Sequence, residues 1–363
     1  MTKTRILLTG ADTLTGSHIL AQLLSSDAIS VRAVVNSQEA LHATRKQYQQ
    51  VSSTVLDLFG LSTDDHTISG SVEDALCDSP RPFEAVIHTL IPKTSDEADC
   101  LTKFIHLETE SIIRFLTSIQ HTAPYVRRVV IVTSLAPFAR WLVNPQSPRS
   151  PGQVMSEGFS TFAIDAEHIL ATSQASSSTM CDAILEWRRE CGAQFDIAYV
   201  ATPSVYGPTI HPLETSSDLS ETNRRIWNIC SSEPQQRTEN PPYGISHYSD
   251  VRDVATASVR ALFVAEASNK RFVVSAGVMP LGSEIAEYLV ARYPELRSRI
   301  RADGHPQRRS QFDDSALDAL DAYLVTTVLG LSQLRTAEAT INDTVRQILD
   351  LQQRKAWKSI IHS

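Results

Sequence analysis

The sequence predicts an α/β fold, a doubly wound parallel sheet with a smaller C-terminal lobe. Strand-like and helix-like runs alternate through the first half of the chain, which is the signature of βαβ units. The strand-like runs are short, apolar and β-branched, as expected where helices cover both faces of a sheet. A turn bearing two glycines joins the first strand-like run to the first helix-like one.

Taken in order, the strand-like runs are Arg5 to Thr9, Ser30 to Val35, Ala85 to His88, Arg128 to Thr133 and Asp196 to Ala201. Between them, Gly16 to Leu24 and Thr102 to Ile119 carry apolar residues at spacings of three and four, the pattern of amphipathic helices. Right-handed crossovers between such units wind helices onto both faces of one sheet. Two stretches break the rhythm. Residues 142–157 hold three prolines and a glycine, and residues 208–245 are rich in Pro, Ser and Thr, so both read as loops. Loops that follow the carboxyl ends of parallel strands border the ligand crevice of a doubly wound sheet. Residues 1–202 with 246–276 therefore read as a nucleotide-binding-type domain, and 203–245 with 277–355 as a substrate-binding lobe.

The bulk of the sequence narrows the partners. Its 363 residues are enough to bury a sizeable core. The net charge of −8 comes with no basic stripe, so nucleic acid finds no electrostatic footing. No uninterrupted apolar run reaches the length of a membrane span, and the N-terminus passes straight into strand-like sequence with no signal core. The expectation is a cytoplasmic protein with a small-molecule substrate, no nucleic-acid and no membrane partner, and a homodimer as an allowed assembly. The cysteines, Cys77, Cys100, Cys181, Cys191 and Cys230, are odd in number and widely spaced. They read as free thiols, and no metal site is expected.

In a Rossmann-like turn one glycine makes the tight bend, one lets the backbone approach a pyrophosphate and one permits close helix–strand packing. Here Gly10 and Gly16 hold the outer positions and Thr13 the middle one. A threonine there is expected to project toward the pyrophosphate at the helix N-terminus. An ordinary strand–turn–helix connection would give the same short motif.

The surroundings of the turn are more specific. ILLTGADTLTGSHILAQLL followed by VRAVVNS, then VIHTLIP (86–92), RRVVIVTSLA (127–136), PSVYGP (203–208), YSDVRDVATASVRAL (248–262), KRFVVSAGVMPLGSEIAEYLVARYPEL (270–296) and TAEATINDTVRQILDL (336–351) occur in that order. Together they resemble the extended short-chain dehydrogenase/reductases, in the branch of dihydroflavonol reductases, cinnamoyl-CoA reductases and fungal aldehyde or methylglyoxal reductases. The resemblance spans almost the whole chain.

It implies a Ser/Tyr/Lys set beside a nicotinamide, in which the tyrosine protonates the carbonyl oxygen, the lysine lowers its pKa and the serine binds the substrate oxygen. This chain departs at each place. Leu135 stands at the serine position, and alignment on Trp187 puts Ala175 at the tyrosine position and Thr179 at the lysine position, while Ser178 survives. Asn36 replaces the arginine expected at an adenosine 2′-phosphate, with Arg32, Arg45 or Lys46 as substitutes. Gly70 and Ser71 stand where an adenine-side aspartate is expected. Leu90 replaces a small residue and would crowd the groove.

These departures favour a non-redox enzyme on the reductase scaffold, such as an isomerase, cyclase, dehydratase or pericyclic catalyst acting on a small apolar natural product. A cofactor would then be unnecessary, or NADP(H) would be vestigial. Two alternatives stay open: an NADPH-dependent carbonyl reductase with a non-standard proton donor, and a non-catalytic nucleotide sensor or scaffold. The candidate catalytic residues are Ser134, Tyr206, Lys93 and His211, with Arg140 and Trp141 nearby in sequence. The candidate cofactor residues are Gly10, Thr13, Gly16, Arg32 and Asn36. Asp250, Arg252 and Asp253 read as a structural charge cluster tying the lobes, with His247 and Tyr248 beside it.

Overall fold

The computed structural model describes residues 3–61, 68–77, 81–89, 101–134, 180–231, 247–300 and 323–361. The chain begins with β1 (Thr4–Thr9), α1 (Leu14–Leu24), β2 (Ile29–Val35), α2 (Gln38–Gln47), β3 (Leu56–Gly60) and α3 (Ile68–Cys77). It continues with β4 (Ala85–His88), α4 (Leu101–Thr122) and β5 (Arg128–Ser134), then a helix over residues 180–191, α5, and β6 (Asp196–Thr202). The remainder holds β7 (Ser204–Tyr206), α6 (Glu221–Cys230), β8 (Tyr248–Asp250), α7 (Val251–Phe263), β9 (Arg271–Val273), α8 (Gly282–Arg292) and α9 (Ala337–Ile361).

Seven strands form one sheet in the order β3-β2-β1-β4-β5-β6-β9, every pair parallel. This is the Rossmann-like doubly wound sheet that the alternating pattern predicts. The alternation of side chains along each strand separates two apolar layers. Ile6 and Leu8 of β1 join α1, α2 and α7 on one face, while Leu7 joins α3, α4 and α5 on the other. All three are completely shielded from solvent, and each stabilises the fold by about 1.5–3 kcal/mol. A third apolar cluster joins Tyr206, Ile226, Tyr248, Leu289 and Val345 from β7, α6, β8, α8 and α9.

The strand boundaries follow the sequence closely, but two expectations need correcting. The third strand lies at Leu56–Gly60, so Gly70 and Ser71 fall within α3 and are not the residues that follow β3. Tyr206 does not continue the main sheet, because β7 pairs with β8 in a separate two-stranded sheet.

The charge cluster seen in the sequence does tie α7 to the C-terminal helix. Asp250 caps α7 by accepting from the Arg252 amide, and it also binds the Arg252 guanidinium at 2.7 Å and Thr340 Oγ1 at 2.7 Å. Arg252 reaches on to Asp343 at 2.6 Å, and Arg335 pairs with Asp253.

Candidate functional site: the crevice at the ends of β1 and β4

β1 and β4 are neighbours, and from them the sheet is built outward in opposite directions. Their carboxyl ends thus mark the topological switch point, where open parallel sheets bind ligands. Gly10 leaves β1 with φ 68°, a left-handed conformation that glycine adopts without steric cost. At Gly16 an added Cβ would stand 1.9 Å from the Gly10 carbonyl oxygen, so only glycine lets α1 start this close to the strand.

Thr13 is the N-cap of α1. Its hydroxyl donates to Gly10 O at 2.8 Å and accepts from Gly16 N at 3.0 Å. The side chain is turned back into the turn, which corrects the expectation that it projects toward a pyrophosphate. The next two amides, Leu14 N and Thr15 N, have no intrahelical acceptor. Among the described residues no hydrogen bond engages them. The start of α1 is therefore shaped as an anion cradle, with oriented N–H groups at the positive end of the helix dipole.

The floor of the crevice is polar and internally satisfied. Thr9 Oγ1 accepts from the Thr89 amide at 3.2 Å and lies 2.9 Å from His88 Nδ1, and Thr89 Oγ1 donates to Thr9 O at 2.7 Å. His88 stacks on Phe115 with ring centroids 4.5 Å apart. Burial pushes its imidazole down to about 4, so the ring is neutral near pH 7. Sequence reasoning missed His88 and Thr89. Their place at the end of the strand beside the glycine turn was the available signal.

Beyond β2, Asn36 donates from its backbone and its side-chain amide to the Asp12 carboxylate, at 3.1 and 2.9 Å. Arg32 is not a cofactor residue. It is buried, bonded to Asp57 at 2.7 Å and to Ala75 O at 2.9 Å, with its guanidinium against Phe83 and Phe59. Asp12 was also missed, although an acid inside the glycine turn was visible in the sequence.

Among the described residues no hydrogen bond joins the catalytic candidates Ser134, Tyr206 and His211 to one another. Ser134 ends β5, in register with Thr202 of β6. Tyr206 is buried in the third apolar cluster and receives a hydrogen bond from Arg225 at 3.2 Å. Burial raises the pKa of its phenol against the opposing pull of Arg225, so it is a packed core residue and not an acid in the crevice. His211 lies within reach of the charge of Asp12 and of His18 on α1, with its Nε2 3.4 Å from Asp218 O. Burial lowers its pKa, partly offset by Asp218 and Asp12. Lys93, Arg140 and Trp141, the groove residue Leu90, and the three departures Leu135, Ala175 and Thr179 lie outside the described residues. Among the described residues no group of His, Cys, Asp and Glu is arranged to hold a metal, and no helix is long and apolar enough to cross a membrane.

The fold is a Rossmann-like doubly wound parallel sheet with a glycine turn at its switch point. No protein-family model matches the chain. It is similar to the ketoreductase azaE of Aspergillus niger, 26% identical over 350 residues, covering 95% of this chain and 98% of the relative. It is likewise similar to the NADPH-dependent methylglyoxal reductase GRE2 of Saccharomyces cerevisiae, at 24% identity over 359 residues, 96% of this chain and 99% of the relative. The crystal structure of yeast methylglyoxal/isovaleraldehyde reductase Gre2 complexed with NADPH superposes with a TM-score of 0.68 at 20% identity, over 97% of this chain and 100% of that one. Over nearly its whole length the chain is thus similar to proteins named as a ketoreductase and a methylglyoxal reductase.

Proposed function

We propose that the protein is a nicotinamide-dependent carbonyl reductase whose proton donor is not the usual tyrosine. The observation that carries this is the intact cradle: Gly10 and Gly16 in place, the Thr13 hydroxyl folded into its cap, and the Leu14 and Thr15 amides open at the switch point. Whole-length similarity to reductases supports the same reading over the isomerase or cyclase one.

When bound, a reduced nicotinamide supplies a hydride to a carbonyl carbon. This chain's part is to hold and orient. The α1 amides would face the pyrophosphate, Gly16 permits the close approach, and the Thr9–His88–Thr89 floor stays neutral beneath it. His88 is not the proton donor, because at neutral pH it has already lost its proton. Tyr206 is not either, since it is enclosed and bonded to Arg225. The reading assigns the donor to the 135–179 stretch, where the resemblance puts the family's own.

The test is a pair of measurements. Melting temperature is followed with added NADH and with added NADPH, because a ligand bound only to the native state raises stability by RT ln(1 + [L]/Kd). Loss of the reduced-nicotinamide absorbance is then followed with simple aldehydes and ketones. A shift with turnover is expected; no shift with either dinucleotide at millimolar concentration contradicts the proposal. A second reading, a non-redox enzyme, is favoured by Leu135, Ala175 and Thr179 at the family's catalytic positions. It is supported if a dinucleotide binds and no carbonyl compound oxidises it.

A further inference from the structure

We infer that Asp12, held in place by Asn36, makes this crevice select the dinucleotide that lacks a 2′-phosphate, NADH over NADPH. The inference rests on the dinucleotide reading above and sharpens it. In an open parallel sheet the adenosine ribose lies beyond the end of the second strand. There an acid accepts the ribose 2′-hydroxyl, or an arginine receives a 2′-phosphate.

β2 ends at Val35, and the residue that follows is Asn36. Across the gap from the glycine turn comes the half-buried Asp12. Its Oδ2 accepts from Asn36 N at 3.1 Å and from Asn36 Nδ2 at 3.1 Å, and its Oδ1 accepts from Asn36 Nδ2 at 2.9 Å. The carboxylate is thereby fixed at the place where an acid does this work in other open sheets, though it arrives from the turn and not from the strand. Oδ1, which accepts only from Asn36 Nδ2, keeps accepting capacity for a ribose hydroxyl.

Among the described residues no lysine or arginine is bonded to Asp12, and His211, which feels its charge, has its pKa lowered by burial. The residues after β2 are Asn36, Ser37, Gln38 and Glu39, with Ser37 spent as the N-cap of α2. Arg45 and Lys46 stand in the last turn of α2, about 10 Å along the helix axis from its start. Arg32 is committed to Asp57 and Ala75. Arg81 reaches Thr54 O and Ser30 Oγ, at the opposite end of β2. A phosphate monoester carries about −1.5 to −2 charges near neutral pH, and it would meet the Asp12 carboxylate without a counter-charge. The chain departs here from the yeast relative named for NADPH dependence.

The experiment is direct titration of the full chain with NADH and with NADPH, followed by calorimetry, so that no turnover is needed. NADH is expected to bind tighter by about tenfold or more, as like charges a few ångströms apart near a protein surface require. The double variant Asp12→Ser/Asn36→Arg, its folding checked by circular dichroism, is expected to reverse the order. If NADPH binds the unaltered chain as tightly as NADH, the inference is overturned while the dinucleotide reading stands. A folded double variant that keeps the original preference overturns the role of Asp12. Binding of neither dinucleotide overturns both readings together.

Discussion

Two glycine turns leave the carboxyl ends of strands in this molecule, and their polar groups have opposite fates. At the first, Gly10–Gly16, the Leu14 and Thr15 amides point outward with no acceptor among the described residues. At the second, after β7, the backbone groups of residues 207–209 are engaged internally. Gly207 N donates to Asn223 Oδ1 at 3.3 Å, and Gly207 O accepts from Asn223 Nδ2 at 2.7 Å. Pro208 O accepts from His18 Nε2 at 2.7 Å, and Thr209 exchanges two hydrogen bonds with Gln347. Beside it Asp250 is fully buried and satisfied by Arg252 and Thr340. The first turn leaves oriented backbone donors without partners among the described residues, and such donors are what a ligand can use. The second holds the lobe in place.

The contrast is broken most severely at the closed turn. Asp250→Ala leaves Arg252 and Thr340 without their buried partner and is expected to cost about 3–5 kcal/mol, read as a fall in the urea midpoint. The unaltered carboxylate also sets a pH dependence. Burial pushes its pKa up, but the hydrogen bonds from Arg252 and Thr340 outweigh that and hold it below its ordinary value. A carboxyl whose folded pKa is depressed contributes its stability above the unfolded value and loses it as pH falls through the folded one. Stability should therefore decline on acidification below about pH 4, and Asp250→Ala should flatten that decline. At the same turn, Asn223→Ala orphans both polar groups of Gly207 and is expected to cost about 1–3 kcal/mol, with dinucleotide affinity unchanged within error.

At the open turn the effects on stability are smaller and the effects on binding larger. Gly16→Ala forces α1 away from the Gly10 carbonyl at an expected cost of about 1–3 kcal/mol, and a folded variant should lose dinucleotide affinity measurably in the same titration. Thr13→Gly removes only a cap and should cost a few tenths of a kcal/mol. Dinucleotide binding should survive it. Improved binding in Thr13→Gly would mean that the threonine obstructs the groove after all.

What the sequence disclosed, and what it withheld, follows the same division. The strands were legible because buried parallel strands are uniformly apolar: Ile6, Leu7 and Leu8 announce β1 with no help from tertiary context. β3 was harder to see because Asp57 interrupts it, and that aspartate is explained only by Arg32 on the adjacent β2 and Arg5 on β1 beyond it. The glycine roles at residues 10 and 16 could be read from spacing. The direction of the Thr13 side chain could not, since it depends on a hydrogen bond back to a carbonyl three residues away. Arg32 looked available in the sequence because nothing there reveals its distant partners Asp57 and Ala75. Tyr206 stood as a catalytic candidate because its packing partners on α6 and α8 are remote in the chain. Asp12 went unnoticed because an arginine was sought after the second strand and an acid after the third, and neither in the turn that faces Asn36.

The most direct test of an open cradle at the head of α1 is the backbone amide resonance of Leu14 and Thr15 in the labelled full-length protein, recorded before and after addition of NADH. Both amides are expected to shift on titration and to become protected from exchange, while the amide of Gly207, already bonded to Asn223, stays where it is. Saturating NADH that leaves Leu14 and Thr15 unmoved would contradict the assignment of this turn as the dinucleotide site.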